Sequence, residues 1–186
     1  MSREYIDRYL EETQEIVERL DRGEILKAIE ILTLTKNRGG RLFILGVGGS
    51  ASNSSHAVND FRKIAGIESY TPVDNVSELT ARTNDDGFET IFVEWLKTSK
   101  LGLDDTVMVF SVGGGSETTS RNLVVAMQYA KDVGASIVAV VSRDGGAARK
   151  MAEACVLVPV VSDERITPHV EGWQAILWHL MVNAIE

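Results

Sequence analysis

The stretch NSSHAVND carries a histidine and an aspartate one helical turn apart, and both side chains can do chemistry. His56 and Asp60 are four residues apart, so a helix would present them on one face. An imidazole and a carboxylate at this spacing can bind a metal ion or act as an acid/base pair. Pairs with this spacing are also common on solvated helix faces, so residue type alone leaves both interpretations open.

The C-terminal segment TPHVEGWQAILWHLMVNAIE is apolar at most positions but includes several polar side chains. Glu171, Gln174 and His179 stand among valine, isoleucine, leucine and two tryptophans. A lone histidine in such a helix is more often a buried, hydrogen-bonded residue than a ligand, so the pattern alone assigns His179 no function. We expect His169 to be exposed near the helix start, and the tryptophans to pack in the core or between subunits.

Two turns rich in glycine and serine each follow a short apolar run. They are GVGGSASNSS (46–55) and SVGGGSETTS (111–120). Glycine lets the backbone approach a ligand closely, and free amides at a helix N-terminus favour an anion. Neither turn has the lysine of a Walker A loop or the spacing of a dinucleotide fingerprint, so no nucleotide cofactor is predicted. A plain alternative is that the glycines make tight turns and the serines cap helices. Two such turns in one sheet favour a bound phosphate.

The elements that position these residues follow from hydrophobic periodicity. Two helices are predicted at the beginning of the chain, at 3–20 and 24–36. Asp21 and Glu24 mark the N-terminus of the second helix, and Gly39-Gly40 marks its end. Apolar runs at 41–47, 106–112, 136–142 and 155–161 predict four buried strands. The segment 69–73 predicts a weaker edge strand. Helices are predicted at 51–65, 88–98, 117–133, 145–153 and 168–186. The order predicts an α/β fold with a doubly wound five-stranded parallel sheet behind two leading N-terminal helices.

The order strand, GxGGS, helix, with a later S-x-x-G-x-S after another strand, resembles the sugar isomerase (SIS) fold, a flavodoxin-like arrangement. Within it the chain is most similar to the phosphoheptose isomerases, which convert sedoheptulose 7-phosphate to D-glycero-D-manno-heptose 7-phosphate. The resemblance covers nearly the whole chain, including the loop NDDGFETIF (84–92). It implies a single SIS domain over residues 1–186, with active sites between subunits. The apolar stripes of the two leading helices, within residues 1–38, are broader than one sheet face needs, so we expect an oligomer interface there and a homotetramer, or at least a dimer.

The resemblance also implies site residues. Asp60 would be the catalytic base and His179 the second acid/base. Substrate and phosphate contacts would come from Gly48, Gly49, Ser50, Asn84, Asp85, Ser111, Gly113, Ser116 and Glu171. Some members hold zinc at four positions, which here are His56, Asp60, Glu171 and His179. Asp85 has a second interpretation as the cap of the helix predicted at 88–98. The chain departs from the family pattern at Val47, Asp60, Val112 and Gly113, where the family has Asn, Glu, Thr and Ser.

Length, charge and cysteine content limit the classes of partner that this chain is expected to bind. The chain has 186 residues, enough for one hydrophobic core, and its formal net charge of -8 argues against nucleic acid as a partner. No apolar run is long enough for a membrane span. The single cysteine, Cys155, cannot form an internal disulfide, which favours a cytoplasmic location and a buried thiol. The expected function is a sugar-phosphate isomerase; the alternative is a non-catalytic phosphosugar-binding SIS scaffold or regulator, such as one that associates with a replication initiator.

Overall fold

A computed structural model of the chain describes residues 3–185 and has an α/β architecture. The strands are β1 (Leu42–Gly46), β2 (Ser69–Tyr70), β3 (Thr106–Phe110), β4 (Ser136–Ser142) and β5 (Ala154–Val158). The helices are α1 (Arg3–Arg19), α2 (Arg22–Asn37), α3 (Gly49–Lys63), α4 (Val76–Asp85), α5 (Ile91–Thr98), α6 (Arg121–Asp132), α7 (Gly146–Met151) and α8 (Ile166–Ala184). Within the described part of the chain, no helix is long and apolar enough to cross a membrane.

The five strands form one parallel sheet in the order β2-β1-β3-β4-β5. The predicted edge strand is confirmed, since β2 pairs with β1 alone and Pro72 begins a 3₁₀ turn directly after it. The strand order reverses between β1 and β3, and ligands of open α/β sheets bind outside the carboxyl ends of the strands at such a point. Both glycine-rich turns leave the sheet there, because they follow Gly46 and Phe110.

Both faces of the sheet are covered by helices, which explains why the strands have continuous apolar runs. Alternate side chains such as Ile44 and Met108 face one core with α2, α3 and α8. Their neighbours, such as Leu45 and Val109, face a second core with α5, α6 and α7. The helices that carry His56 and His179 therefore lie on the same face of the sheet.

The two leading helices are present as predicted, and Asp21 caps the second. Its carboxylate accepts hydrogen bonds from the backbone N–H groups of Gly23 at 2.8 Å and Glu24 at 3.2 Å. The Glu24 carboxylate in turn accepts from the backbone N–H of Cys155 at 2.8 Å, which ties α2 to β5. Burial beside Glu24 raises the pKa of the half-buried Cys155 thiol to about 11, so this thiol is not a reactive nucleophile.

Several predicted boundaries are wrong, for local reasons. The segment 76–85 is a helix, α4, which its polar sequence did not predict; Asn75 caps it by accepting from the Glu78 N–H. Asp85 is the last residue of α4, so it does not cap the helix predicted at 88–98, and that helix begins at Ile91. The helix predicted at 117–133 begins at Arg121, because the preceding residues remain in the turn.

Candidate active site

Helices α3 and α8 bring two histidines to one carboxylate. The His56 Nε2 lies 3.5 Å and the His179 Nε2 lies 3.2 Å from the same oxygen, Oδ2 of Asp60. The two imidazole rings stand nearly perpendicular, with centroids 5.4 Å apart. Among the described residues these three form a group whose ligand atoms lie within 4.8 Å of one another. The i,i+4 pair on α3 is therefore part of a three-residue cluster rather than a solvated helix face.

The surroundings hold the Asp60 carboxylate in place. Asp60 is buried, and its Oδ2 accepts a hydrogen bond of 3.1 Å from the indole Nε1–H of Trp178. Its Oδ1 accepts from the side-chain amide of Asn59 at 3.0 Å. The indole ring also stacks on His179, with centroids 5.0 Å apart. Trp178 is thus a site residue that sequence analysis assigned to packing alone. An indole donor one position before His179 gave no distinct signal within an apolar helix.

A backbone carbonyl fixes the hydrogen position on His179. The Nδ1 of His179 lies 2.7 Å from the carbonyl oxygen of Ala175. A carbonyl oxygen only accepts, so Nδ1 carries a proton, and in the neutral ring Nε2 keeps its lone pair toward Asp60. That lone pair is available for a substrate proton or a metal ion. His56 and His179 are both about half exposed, while Asp60 is not, so the cluster opens to solvent on the histidine side.

Glu171, predicted as the fourth metal ligand, lies instead at the first glycine turn. A β-carbon placed on Gly49 would lie 2.4 Å from the Glu171 carboxyl carbon, so only glycine allows this carboxylate to rest there. The position is at the N-terminal end of α3, where the helix dipole favours negative charge. Gly49 and Glu171 therefore make a contact within the protein, and a substrate anion would compete with that carboxylate for the first turn.

The second glycine turn opens onto a cavity of about 440 Å³. Its lining includes the predicted residues Ser50, Ser111, Gly113 and Ser116 and, beyond them, Val47, Phe110, Val112, Gly115, Thr119, Ser120, Arg143, Asp144, Gly146 and Thr167. Gly48, Gly49 and Glu171 are not part of this lining, and neither are the exposed Asn84 and Asp85. The structure thus gathers four of the predicted substrate residues around one hollow.

The serine hydroxyls of this turn are set up to donate. The Oγ of Ser111 accepts from the backbone N–H of Gly114 at 3.1 Å, and the Oγ of Ser116 accepts from that of Thr119 at 3.0 Å. A hydroxyl that accepts a hydrogen bond still has its own O–H free to donate. Donors lining a hollow at the carboxyl edge of the sheet suit an anionic oxygen.

The second turn is held by the β4–α7 turn, which also contributes to the cavity. The backbone N–H groups of Ala147 and Ala148 donate to the carbonyls of Gly115 and Gly114 at 2.9 and 3.0 Å. This segment brings Arg143 and Asp144 into the lining. Arg143 was not predicted as a site residue, because an arginine at the end of a strand carries no motif signal.

A second polar cluster lies away from this site and corrects one expectation. His169 is buried rather than exposed, and its Nε2 lies 2.8 Å from Oε2 of Glu12 on α1. Arg165 donates two hydrogen bonds to the same carboxylate, and Tyr9 stacks on the imidazole with centroids 4.4 Å apart. The exposed position expected for His169 was wrong because α1 packs over the start of α8.

The fold and these sites define the class of protein. The sequence profile of the SIS domain matches residues 4–142, so the chain belongs to the SIS domain family. The phosphoheptose isomerase of Neisseria gonorrhoeae has the same fold, with a TM-score of 0.83 at 23% identity over 97% of this chain and 94% of that one.

Sequence similarity places the chain more narrowly, among the phosphoheptose isomerases. The phosphoheptose isomerase of Akkermansia muciniphila is 30% identical over 171 residues, which cover 88% of this chain and 85% of that protein. The lincomycin biosynthesis protein LmbN of Streptomyces lincolnensis is 32% identical over 167 residues, 83% of this chain. The match spans 59% of the length of LmbN.

Proposed function

We propose that the protein is a sugar-phosphate aldose–ketose isomerase that interconverts sedoheptulose 7-phosphate and D-glycero-D-manno-heptose 7-phosphate. One observation carries the proposal beyond family membership: the hydroxyl-lined cavity and the His56–Asp60–His179 cluster are built on the same two helices, since α3 and α8 also supply Ser50 and Thr167 to the cavity lining. The cavity suits the phosphate, which does not react. The cluster suits proton transfer at the other end of the sugar.

The reaction moves hydrogen between neighbouring carbons through an enediol. Asp60 takes a proton from the carbon beside the carbonyl, and His179 Nε2 moves a proton between the two sugar oxygens. Asp60 then returns its proton to the other carbon of the pair, the former carbonyl carbon, which completes the isomerisation, so no redox cofactor is required. Tight binding of the remote phosphate holds the reacting carbons against Asp60, which lowers the entropic part of the barrier.

The donor set also fits a zinc ion. Two imidazoles and a carboxylate with ligand atoms within 4.8 Å match the three protein ligands of catalytic zinc sites, which keep one position open. The residues that would hold the ion are His56, Asp60 and His179; Glu171 is left out of this set because its carboxylate rests over Gly49. A zinc ion bound there would polarise the substrate oxygens as a Lewis acid.

The central experiment follows purified protein with sedoheptulose 7-phosphate by NMR, with and without a chelator. Asp60→Asn and His179→Gln are expected to lower kcat roughly 10²- to 10⁴-fold, because each removes a proton-transfer group. Asp132→Asn, a surface aspartate on α6, is the matched control and keeps full activity. Activity that survives the chelator assigns Asp60 as a free base. Phosphate binding without turnover would instead support the scaffold function.

Zinc binding has its own measurement, independent of turnover. Equilibrium dialysis followed by elemental analysis is expected to give one zinc per chain in the wild type and none in His56→Gln. Wild-type protein that binds no zinc at micromolar concentrations would overturn the metal part of the proposal and leave the base mechanism standing.

We further propose a cytoplasmic homotetramer with sites at the subunit interfaces. Support comes from exposed apolar side chains on two helices: Ile6 and Leu10 of α1, and Ile176 and Leu180 beside His179 on α8. A partner subunit would cover such faces and close the open side of the cluster. The cytoplasmic location rests on the single cysteine.

Light scattering on a sizing column tests the assembly. The wild type is expected at the mass of a tetramer, and Leu10→Glu at a smaller mass, because a charge would be buried in the interface. Leu103→Glu, an exposed leucine in a loop, is the control and keeps the wild-type mass. A monomeric wild type would overturn both the proposed tetramer and the proposed location of the sites between subunits.

A further inference from the structure

Arg143 occupies an unusual place at the end of β4. Its φ of 57° lies in the left-handed region, which side chains larger than glycine, asparagine or aspartate rarely adopt. The residue directly follows the buried Ser142, whose N–H donates to the Val112 carbonyl at 3.0 Å. This backbone turn brings the arginine side chain into the lining of the cavity that holds Ser111 and Ser116.

Glycines in the β4–α7 turn and in the second glycine turn make room for this side chain. A β-carbon on Gly146 would lie 2.4 Å from the Gly113 carbonyl oxygen, so the two backbones touch only because position 146 has no side chain. A β-carbon on Gly113 would lie 4.0 Å from Nη1 of Arg143. The guanidinium therefore lies alongside the second glycine turn, in the space that a larger residue at 113 would enter.

The charge of Arg143 is not neutralised by another side chain. Within residues 3–185 its guanidinium makes no ion pair or hydrogen bond, although Arg121, the first residue of α6, pairs with Glu89 at 2.8 Å. Asp144 is the other charged residue in the cavity lining, and its Oδ1 accepts from the Gly146 N–H at 3.1 Å. The cavity thus combines one unpaired cation with hydroxyl donors, the combination that recognises a phosphate.

We propose that Arg143 binds the phosphate group of the substrate and makes this chain selective for a phosphate dianion. The inference rests on the proposed function and adds a residue to it. The Ser111 and Ser116 hydroxyls and the Arg143 guanidinium contact the phosphate oxygens together, and Asp60 and His179 do the chemistry. Arg143 does not touch the reacting carbons, so its contribution appears in binding.

The test is titration calorimetry of the full-length protein with inorganic phosphate, alongside steady-state kinetics with sedoheptulose 7-phosphate. Arg143→Asn removes the charge and keeps a residue that tolerates the left-handed backbone, so the variant is expected to fold. The Kd for phosphate and the KM are expected to rise roughly 10- to 100-fold, while kcat stays within about threefold of the wild type. Arg143→Lys is expected to recover part of the binding.

Arg121→Ala is the matched control, since it removes the same charge from the first residue of α6, which is not part of the cavity lining, and its Kd is expected to stay within about twofold of the wild type. Equal phosphate binding by Arg143→Asn and the wild type would overturn the inference while leaving the isomerase function intact. Weakened phosphate binding in Arg143→Asn, in a protein that turns over no sugar phosphate, would support the inference and reject the isomerase. Wild-type protein that binds no phosphate would overturn the inference.

Discussion

At the scale of single residues, one carboxylate organises the site. Asp60 Oδ2 receives the Trp178 indole N–H at 3.1 Å and faces two imidazoles. We propose that Trp178 is a positioning residue, because its indole N–H holds Asp60, the proposed base.

Replacing Trp178 with phenylalanine removes the donor and keeps an aromatic ring in the core. We expect kcat to fall about 10-fold with KM little changed, since a hydrogen bond to a buried carboxylate is lost.

Trp173→Phe is the control for this prediction. Trp173 lies on the same helix and is also buried, but its indole makes no hydrogen bond to a described residue. Both variants lose similar packing volume, so a merely structural role predicts equal kinetics. An unchanged kcat in Trp178→Phe would contradict the positioning role.

At the scale of elements, the second glycine turn and the β4–α7 turn are in close backbone-to-backbone contact. A β-carbon on Gly114 would lie 2.0 Å from the Gly145 carbonyl oxygen, and Gly114 also has a φ of 74°. Gly39, after α2, has a φ of 70° but no atom within 4 Å of such a β-carbon. Alanine substitutions at Gly39 and Gly114 therefore distinguish the free-energy cost of a left-handed backbone from the added cost of a clash with a neighbouring backbone.

We expect Gly39→Ala to lower the free energy of unfolding by about 1 kcal/mol, the cost of a left-handed alanine. Gly114→Ala is expected to cost about 3 kcal/mol, because a backbone clash is added to the same conformational strain. Urea denaturation measures both values. Gly114→Ala is also expected to raise KM, since the second turn must move. Equal losses in the two variants would show that the turns are not locked.

These elements also show what sequence could predict. The parallel sheet and both glycine turns were predictable, because a run such as LFIL (42–45) is apolar at every position and is followed directly by Gly46. Helix α4 was not, since VSELTARTND buries no residue and has no apolar stripe to detect. The pairing of His56 with Asp60 followed from spacing. The approach of Trp178, Arg143 and Glu171 did not, because each contact joins segments distant in sequence.

At the scale of the whole molecule, a buried charge cluster fastens α1 to the start of α8. Two hydrogen bonds from Arg165, with the His169 imidazole, lower the pKa of Glu12 from 4.5 to about 2. Since α8 carries both Thr167 of the cavity lining and His179, this contact links the N-terminal helix to the site. The expected packing of α1 against another subunit would use its opposite, exposed face, which includes Ile6 and Leu10.

The lowered pKa of Glu12 predicts a specific dependence of stability on pH. A carboxyl group whose pKa is lower when folded stabilises the fold above its unfolded pKa of 4.5, and loses that contribution as pH falls toward 2. Glu12→Gln is therefore expected to be less stable than the wild type by about 2 kcal/mol at pH 7. The difference should shrink steadily between pH 4.5 and pH 2.

Urea titrations at a series of pH values measure this difference, with Glu11→Gln as the matched control. Glu11 is the exposed neighbour of Glu12 on α1, and its variant is expected to follow the wild type at every pH. Acid protonates the other carboxylates in all three proteins alike, so only the gap between wild type and Glu12→Gln reports on the cluster. A gap that stays constant from pH 7 to pH 2 would mean that packing, not charge, holds α1 against α8.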